Sequence, residues 1–231
     1  KGWDKFKSRE VKMMKEAVIF DMDGVIIDSE PFYYEIEKDI NKELGIDVSI
    51  EEHKSFVGVT SYHMWSVLKK KYGLKQTVDE LMEMNRSKFV EFLESQRGKI
   101  NPIDGVKELI ISLHENGFKL AVASSSGVDI VNTVMDIFDL YQYFDVIVTG
   151  DEVLKSKPEP DIFLYAADKL NVPCRNAVVV EDSHNGVLAA KNARITCIGY
   201  KNPNSFNQDI SMADKIIKSF NEIDYNFIRN L

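Results

Sequence analysis

Short apolar runs rich in Val and Ile alternate with amphipathic stretches along most of this 231-residue chain, and this alternation restricts the fold more than any other feature. The runs are apolar on both faces, as central strands of a parallel sheet are when helices cover both sides. The strand-like runs are residues 16–20, 118–124, 144–150, 176–182 and 195–200, and the helical patterns between them are 105–117, 128–140 and 160–170. This order predicts an α/β fold with a doubly wound parallel sheet.

The interval from about residue 31 to residue 99 interrupts the alternation, because it contains helical patterns and no convincing strand. Ile36 and Ile40 lie four residues apart, as on the apolar face of a helix. Thr77 and Glu80 have the spacing of a capping box, which marks the start of a further helix. An all-helical unit is therefore predicted to be inserted after the first strand.

The predicted domain organisation follows from this interruption. Pro102 and Gly105 form a turn-like segment where the chain returns to the sheet. Met13 or Met14 is a candidate native start, which would make the residues before it an additional arm. The predicted units are an N-terminal extension at 1–15, an α/β core at 16–30 and 100–231, and a helical cap at 31–99.

Composition excludes several classes of protein. A hydrophobic content of 44% is sufficient for a substantial core, and a net charge of −8 disfavours a polyanion such as nucleic acid as a partner. Cys174 and Cys197 lack metal-type spacing, and we interpret them as free thiols of a reducing compartment. No signal-peptide pattern and no run of about 18 apolar residues occurs, so a soluble, cytoplasmic protein without membrane contact is expected.

Acids, hydroxyls and one cation follow the predicted strands at their carboxyl ends. In open parallel sheets these ends share one edge, where ligands bind. A lysine that converges with several acids there indicates an anionic substrate together with a divalent cation, and Mg²⁺ is favoured because it binds few carboxylates and retains water and substrate oxygens. The residues are Asp21 and Asp23 after the first run, Ser124, Ser125 and Ser126 after the second, Lys157 after the third, and Glu181 and Asp182 at the end of the fourth.

Four segments at these strand ends carry a family resemblance. "DMDGVIIDS", "ASSS", "KPEPD" and "VEDSHNG" occur in this order and resemble the four motifs of the haloacid dehalogenase superfamily. The helical insert resembles the C1-type cap of that superfamily. The branch that is most similar holds β-phosphoglucomutase and small sugar-phosphate phosphatases. The resemblance covers nearly the whole chain from about Glu16 onward.

The resemblance implies catalytic and metal-binding roles for the acids. Asp21 would be the nucleophile that forms an aspartyl-phosphate, and Asp23 the general acid and base. Asp21, the backbone carbonyl of Asp23, and Asp182 would hold Mg²⁺. Glu181 would join them directly or through water.

The resemblance also implies a phosphate-binding set. Ser124 would donate a hydrogen bond to the transferring phosphoryl group, and Lys157 would neutralise its charge. Lys155 competes for that role, but Lys157 directly precedes a proline as in the family pattern. Backbone N–H groups around Met22 to Gly24 and at Ser125 would hold the remaining oxygens, with Gly24 allowing close approach.

The function implied is Mg²⁺-dependent hydrolysis of small phosphomonoesters such as sugar or polyol phosphates, by a monomer or weak dimer. A β-phosphoglucomutase-type phosphomutase is the alternative, and a non-catalytic binding protein on the same fold is a third. The mutases carry a cap arginine that grips a second phosphate, and Ser61, within residues 58–61, stands in its place. Tyr33 stands where the mutases have a cap histidine, and Gly127 where they have a lysine. These departures favour hydrolysis, with Arg86 as a candidate for substrate contact.

Other polar residues are given structural roles. Asp28 and Ser29 are predicted to cap the helix that enters the insert. The histidines at 53, 63, 114 and 184 lack ligand spacing, so they are predicted to serve surface or core roles.

Overall fold

A six-stranded parallel sheet with helices on both faces forms the α/β part of the molecule. The computed structural model describes residues 14–56, 60–206 and 208–231. The strand order is β3-β2-β1-β4-β5-β6, so β1 lies in the middle of the sheet. The strands are β1 (Ala17–Phe20), β2 (Lys119–Ala123), β3 (Val146–Val148), β4 (Ala177–Glu181), β5 (Thr196–Tyr200) and β6 (Lys215–Ile217).

The predicted doubly wound parallel sheet is confirmed, and each of the five strand-like runs contains a strand. β6 was not predicted from the sequence. It is three residues long at the sheet edge, and only Ile217 of its side chains is fully buried, so it lacks the apolar run that marks the central strands. Its backbone pairs in parallel with β5 from Lys215 to Ile217.

The helices divide between the insert and the two faces of the sheet. The insert contains α1 (Glu30–Leu44), α2 (Ile50–Ser55), α3 (Ser61–Tyr72) and α4 (Val78–Ser95). The remaining helices are α5 (Val106–Glu115), α6 (Val128–Ile137), α7 (Asp161–Lys169), α8 (His184–Asn192) and α9 (Tyr225–Arg229), of which α8 and α9 were not predicted.

Alternate residues of β1 face two separate apolar clusters. Val18 and Phe20 pack into the cluster that contains residues of α5 and α6 and continues into the insert. Ala17 and Ile19 pack into the cluster that contains residues of α7 and α8. Because β1 is covered on both faces, all of its side chains are fully buried.

Local sequence signals explain the ends of the insert helices. Thr77 and Glu80 form a reciprocal capping box at the start of α4, as predicted. α1 ends at Gly45, whose φ of 70° is a left-handed conformation that glycine adopts without strain. The rings of Tyr33 in α1 and Phe89 in α4 stack with centroids 4.0 Å apart, which joins these two helices.

The start of the described chain is attached to the sheet. The sequence interpretation assigned residues 1–15 to an extension, of which 1–13 lie outside the described residues. Lys15 is buried, and its Nζ donates to Arg175 O at 2.9 Å and to Thr196 Oγ1 at 2.6 Å. None of the helices in the described part of the chain has the length and apolar content needed to span a bilayer.

Candidate active site

A tight turn at the end of β1 presents the first pair of acids. The Asp21 N–H donates to Val180 O of β4 at 3.0 Å, which continues the sheet pairing by one residue. The carbonyl of Met22 accepts from the N–H groups of Val25, Ile26 and Ile27. The chain therefore folds back immediately after Asp23, and both acids are held at the carboxyl edge of the sheet.

Three buried carboxylates converge at this edge. One oxygen each of Asp21, Glu181 and Asp182 lie within 4.8 Å of one another. Gly24, with a φ of 77°, makes room for them, because a Cβ there would lie 2.1 Å from Asp182 Oδ2. Hard carboxylate oxygens at this spacing fit Mg²⁺, so these residues are able to hold the metal that the family resemblance implies.

Lys157 lies among these acids. Its Nζ is 2.5 Å from Asp21 Oδ1 and 2.7 Å from Glu181 Oε1, and its side chain is 8% exposed. Burial alone would lower the pKa of Lys157, but the charges of Asp21 and Glu181 outweigh burial and raise it. The competing Lys155 is exposed to solvent. The structure thus brings Lys157, and not Lys155, to the acids.

Glu181 and Asp182 are each held by a serine that the sequence interpretation did not select. Ser183 donates to Glu181 Oε2 from its N–H at 2.7 Å and from its hydroxyl at 2.9 Å. Ser205, in the loop after β5, donates to Asp182 Oδ2. Ser183 directly follows the acids, a signal the sequence offered, whereas Ser205 has no sequence signal because it lies 23 residues away.

Hydroxyl groups surround the carboxylate of Asp23. Ser29 Oγ donates to Oδ1 at 2.7 Å, Ser126 Oγ donates to Oδ2 at 2.7 Å, and Ser124 Oγ lies 3.4 Å from Oδ2. The prediction that Ser29 caps α1 with its side chain is wrong, because that hydroxyl is directed to Asp23. The prediction that Asp28 caps it has no support either, because Asp28 Oδ1 accepts from Asn202 at 3.3 Å.

The predicted phosphate-binding residues differ in their surroundings. Ser124 is fully buried and its Oγ also accepts from the N–H of Ser126 at 3.0 Å, whereas Ser125 lines the open space above the acids. The Gly24 N–H already donates to Ile27 O at 2.8 Å. The expectation that Gly24 offers a free N–H to phosphate is therefore corrected, and its contribution is the room that it leaves.

Because the acids at this edge are buried and close together, it costs free energy to ionise them without a nearby positive charge. Burial, with the neighbouring charges of Glu181 and Asp23, raises the pKa of Asp21 to about 8 although Lys157 opposes the shift. Burial and the charge of Glu181 raise the pKa of Asp182 well above its usual value. A bound divalent cation would favour the ionised carboxylates and reverse these shifts, which is consistent with a metal site.

A chamber of about 670 Å³ opens above the acids, and the helical insert forms its roof. Tyr33, Ser61 and Arg86 line it from the insert. Of the stretch 58–61, where the mutases would carry their arginine, Gly58 and Val59 lie outside the described residues. Arg86 lies between two acids of the core, with ion pairs to Asp129 and to Asp151, the latter at 3.3 Å.

The fold and the site together define a class of enzyme. A central parallel strand delivers an acid pair, a neighbouring strand delivers two further acids, and a lysine lies between them under a helical roof. A family model described as haloacid dehalogenase-like hydrolase matches residues 18–200. The chain belongs to the haloacid dehalogenase-like hydrolase family, and its named relatives make it a phosphatase.

Two relatives and one solved structure illustrate the similarity. A phosphorylated carbohydrates phosphatase of Thermotoga maritima is 36% identical over 184 residues, covering 78% of this chain and 82% of the relative. Hexitol phosphatase B of Escherichia coli is 31% identical over 212 residues, covering 90% and 93%. The structure of β-phosphoglucomutase from Clostridium difficile superposes with a TM-score of 0.79 at 25% identity, covering 93% and 96%.

Proposed function

We propose that this enzyme hydrolyses small phosphomonoesters, sugar or polyol phosphates, with Mg²⁺ and through an aspartyl-phosphate on Asp21. The observation that carries the proposal is the cluster of Asp21, Glu181 and Asp182 with Lys157 at 2.5 Å from the predicted nucleophile. The relatives named for carbohydrate and hexitol phosphates support the substrate class.

The two acids after β1 have separable tasks in this mechanism. A carboxylate oxygen of Asp21 attacks phosphorus while the bond from phosphorus to the ester oxygen breaks, and Asp23 donates its proton to that leaving oxygen. Asp23 then accepts a proton from the water that attacks the aspartyl-phosphate, which releases phosphate and restores Asp21. The hydroxyls of Ser29 and Ser126 orient Asp23 for both transfers.

The remaining residues stabilise charge. When bound, Mg²⁺ supplies positive charge to the transferring phosphoryl group, and Asp21, Glu181 and Asp182 would hold it, together with the backbone carbonyl of Asp23. Lys157 supplies a fixed positive charge beside Asp21. Positioning and electrostatics of this kind are the main requirements of phosphoryl transfer.

Tyr33 and Ser61 favour hydrolysis over the phosphomutase alternative. A mutase must hold a second phosphate while a bisphosphate reorients, and arginine is the usual group for that grip. Ser61 offers a neutral hydroxyl at the edge of the chamber, and Arg86 is engaged by Asp129 and Asp151. Tyr33 also lacks the imidazole that the mutases carry at this place, and its ring stacks on Phe89.

The test is phosphate release from a panel of small phosphomonoesters with Mg²⁺, repeated in excess chelator. We expect steady release that chelation abolishes and that glucose 1,6-bisphosphate does not stimulate. Conversion of β-glucose 1-phosphate to the 6-phosphate faster than phosphate appears would establish the mutase instead. Full activity in excess chelator would contradict the metal assignment.

A further inference from the structure

Two glutamates and a histidine form a partly buried charged group in the roof of the chamber. His53 Nδ1 lies 2.8 Å from Glu37 Oε2, and His53 Nε2 lies 3.6 Å from Glu30 Oε1. All three side chains line the chamber, and those of Glu37 and His53 are 12% and 9% exposed. We call Glu30, Glu37 and His53 the roof triad.

The roof triad carries net negative charge. Burial alone would lower the pKa of His53, but the hydrogen bond with Glu37 and the charges of Glu30 and Glu37 outweigh it and raise the pKa to about 9. His53 is therefore protonated at neutral pH, one positive charge against two carboxylates. The histidine holds Glu37 in place and leaves no positive charge for a substrate.

An unpaired amide lies in the same roof. Asn85 is 5% exposed, lines the chamber, and among the described residues its Oδ1 has no hydrogen-bond partner. It lies on the buried face of α4, one turn from Leu81 and one turn from Phe89, where a leucine would leave no polar group unpaired. A buried amide oxygen without a partner is unfavourable unless a ligand supplies the donor.

Every cation that lines the chamber, within the part of the chain that the structure describes, is already paired. Lys157 contacts Asp21 and Glu181, His53 lies between the two glutamates, and Arg86 contacts Asp129 and Asp151. Asp79 and Glu83 add exposed carboxylates to the rim of the roof. A second anionic group on the substrate would thus meet acids and find no free positive charge.

We propose that Glu37, held by His53, and Asn85 form a hydroxyl-binding roof that selects an uncharged polyhydroxyl leaving group and rejects one that carries an anion. This inference rests on the proposed phosphatase function and adds the residues that set its substrate class. Hydroxyl groups can donate to the carboxylate and to the amide oxygen, whereas a carboxylate or second phosphate at that end would be repelled.

The experiment compares two phosphate esters that differ only at the end of the carbon chain opposite the phosphate. Sorbitol 6-phosphate ends in a hydroxymethyl group, 6-phosphogluconate ends in a carboxylate, and p-nitrophenyl phosphate reports the core chemistry without hydroxyls. We expect kcat/KM for sorbitol 6-phosphate to exceed that for 6-phosphogluconate at least about 10-fold. Comparable values for these two esters would overturn the inference.

Two variants and a matched control assign the effect to the roof. Glu37→Gln should narrow the ratio between the two esters at least about 3-fold, because it removes the repelling charge. Asn85→Leu should lower kcat/KM for sorbitol 6-phosphate about 10-fold and leave p-nitrophenyl phosphate within about 2-fold. Glu43→Gln is the matched control, because Glu43 is also on α1 but is paired with Lys88 and is 55% exposed. It should change neither the ratio between the two esters nor kcat/KM for sorbitol 6-phosphate.

The outcomes separate the two proposals. A Glu37→Gln variant with the wild-type ratio, or an Asn85→Leu variant with the wild-type kcat/KM for sorbitol 6-phosphate, would overturn the roof while the phosphatase function stands. If wild-type protein released no phosphate even from p-nitrophenyl phosphate with Mg²⁺, the proposed function would fail and the inference with it. Retained p-nitrophenyl phosphate activity in the variants shows that they fold.

Discussion

The floor and the roof of the chamber both contain buried acids, but they arrange them differently. At the floor, three carboxylates converge within 4.8 Å with Lys157 beside them. In the roof, the carboxylate of Glu37 lies 2.8 Å from one nitrogen of the His53 ring, and that of Glu30 lies 3.6 Å from the other. The floor thus concentrates negative charge for a cation and a phosphoryl group, whereas the roof triad has one net negative charge and faces the rest of the substrate.

The difference follows from how each region is built. Adjacent parallel strands bring the floor acids together through backbone geometry, since β1 and β4 are paired along their length. The roof residues come from separate helices and meet only through helix packing, as in the stack of Tyr33 on Phe89. Chemistry is therefore expected to fail outright when the floor is altered, and specificity to shift when the roof is altered.

The largest expected effect comes from Asp21→Asn at the floor. The amide is not a nucleophile, so we expect kcat to fall about 10⁴-fold or more with the fold intact. Phosphate release and thermal unfolding should be measured together. Asp168→Asn, an exposed acid on α7, is the charge-matched control and should behave as wild type. Residual activity of more than a few per cent would contradict the role of Asp21.

The second-largest effect is expected at Gly24 in the floor, where a substitution tests crowding of Asp182 separately from backbone strain. Gly24→Ala places a methyl group on Asp182, so the Mg²⁺ concentration for half-maximal activity should rise about 10-fold. Gly45→Ala is the control, because its φ of 70° is similar and a Cβ there meets nothing within 4 Å. Both variants should lose about 1–2 kcal/mol of unfolding free energy from strain. If Gly24→Ala required no more Mg²⁺ than wild type, the position of Asp182 would not depend on the space that Gly24 leaves.

A pH effect on stability is expected from the roof. His53 has a pKa of about 9 in the folded chain against 6.5 as an isolated group. Its contribution is fully present below pH 6.5 and is lost as pH rises through 9, because folding favours the protonated form. Denaturant unfolding at pH 6 and pH 9.5 should show that His53→Gln loses about 3 kcal/mol less unfolding free energy than wild type over that interval. An identical loss in both proteins would exclude this role for His53.

The smallest effect is expected from the ion pairs of Arg86 that connect the roof to the core. Arg86→Ala removes half-exposed ion pairs to Asp129 and Asp151, and kcat/KM should fall about 3-fold, since such pairs contribute little. Arg97→Ala removes an ion pair between the turn that follows α4 and Asp136 of α6, away from the chamber, and should leave kinetics unchanged. If kcat/KM fell equally in both variants, the ion pairs would only hold the insert against the core, and Arg86 would have no separate role at the chamber.

Much of the floor could be predicted from the sequence, because each of its acids directly follows an apolar run. Asp21, Asp23, Glu181 and Asp182 could be placed at one edge once the runs were read as parallel strands, since such strands end at the same side. The four motifs then supplied the family. Lys157 could be separated from Lys155 only by the proline that follows it, until the structure showed which side chain reaches Asp21.

The hydroxyls that hold the acids were harder to predict. Ser29 had the position of a helix cap, yet its hydroxyl donates to Asp23, and Ser205 reaches Asp182 from a loop after β5. β6 was missed as well, because its three residues, of which only Ile217 is buried, are too few to show a periodic pattern.

The sequence by itself determined the parallel sheet, the helical insert and the acids at the strand ends, because these depend on local periodicity and on backbone geometry that every parallel sheet shares. Only the tertiary structure decided which side chains of the insert face the chamber. Glu37, His53 and Asn85 lie on three different helices, and each fits an ordinary local role in the sequence. Their convergence depends on helix packing, which no spacing along the chain encodes.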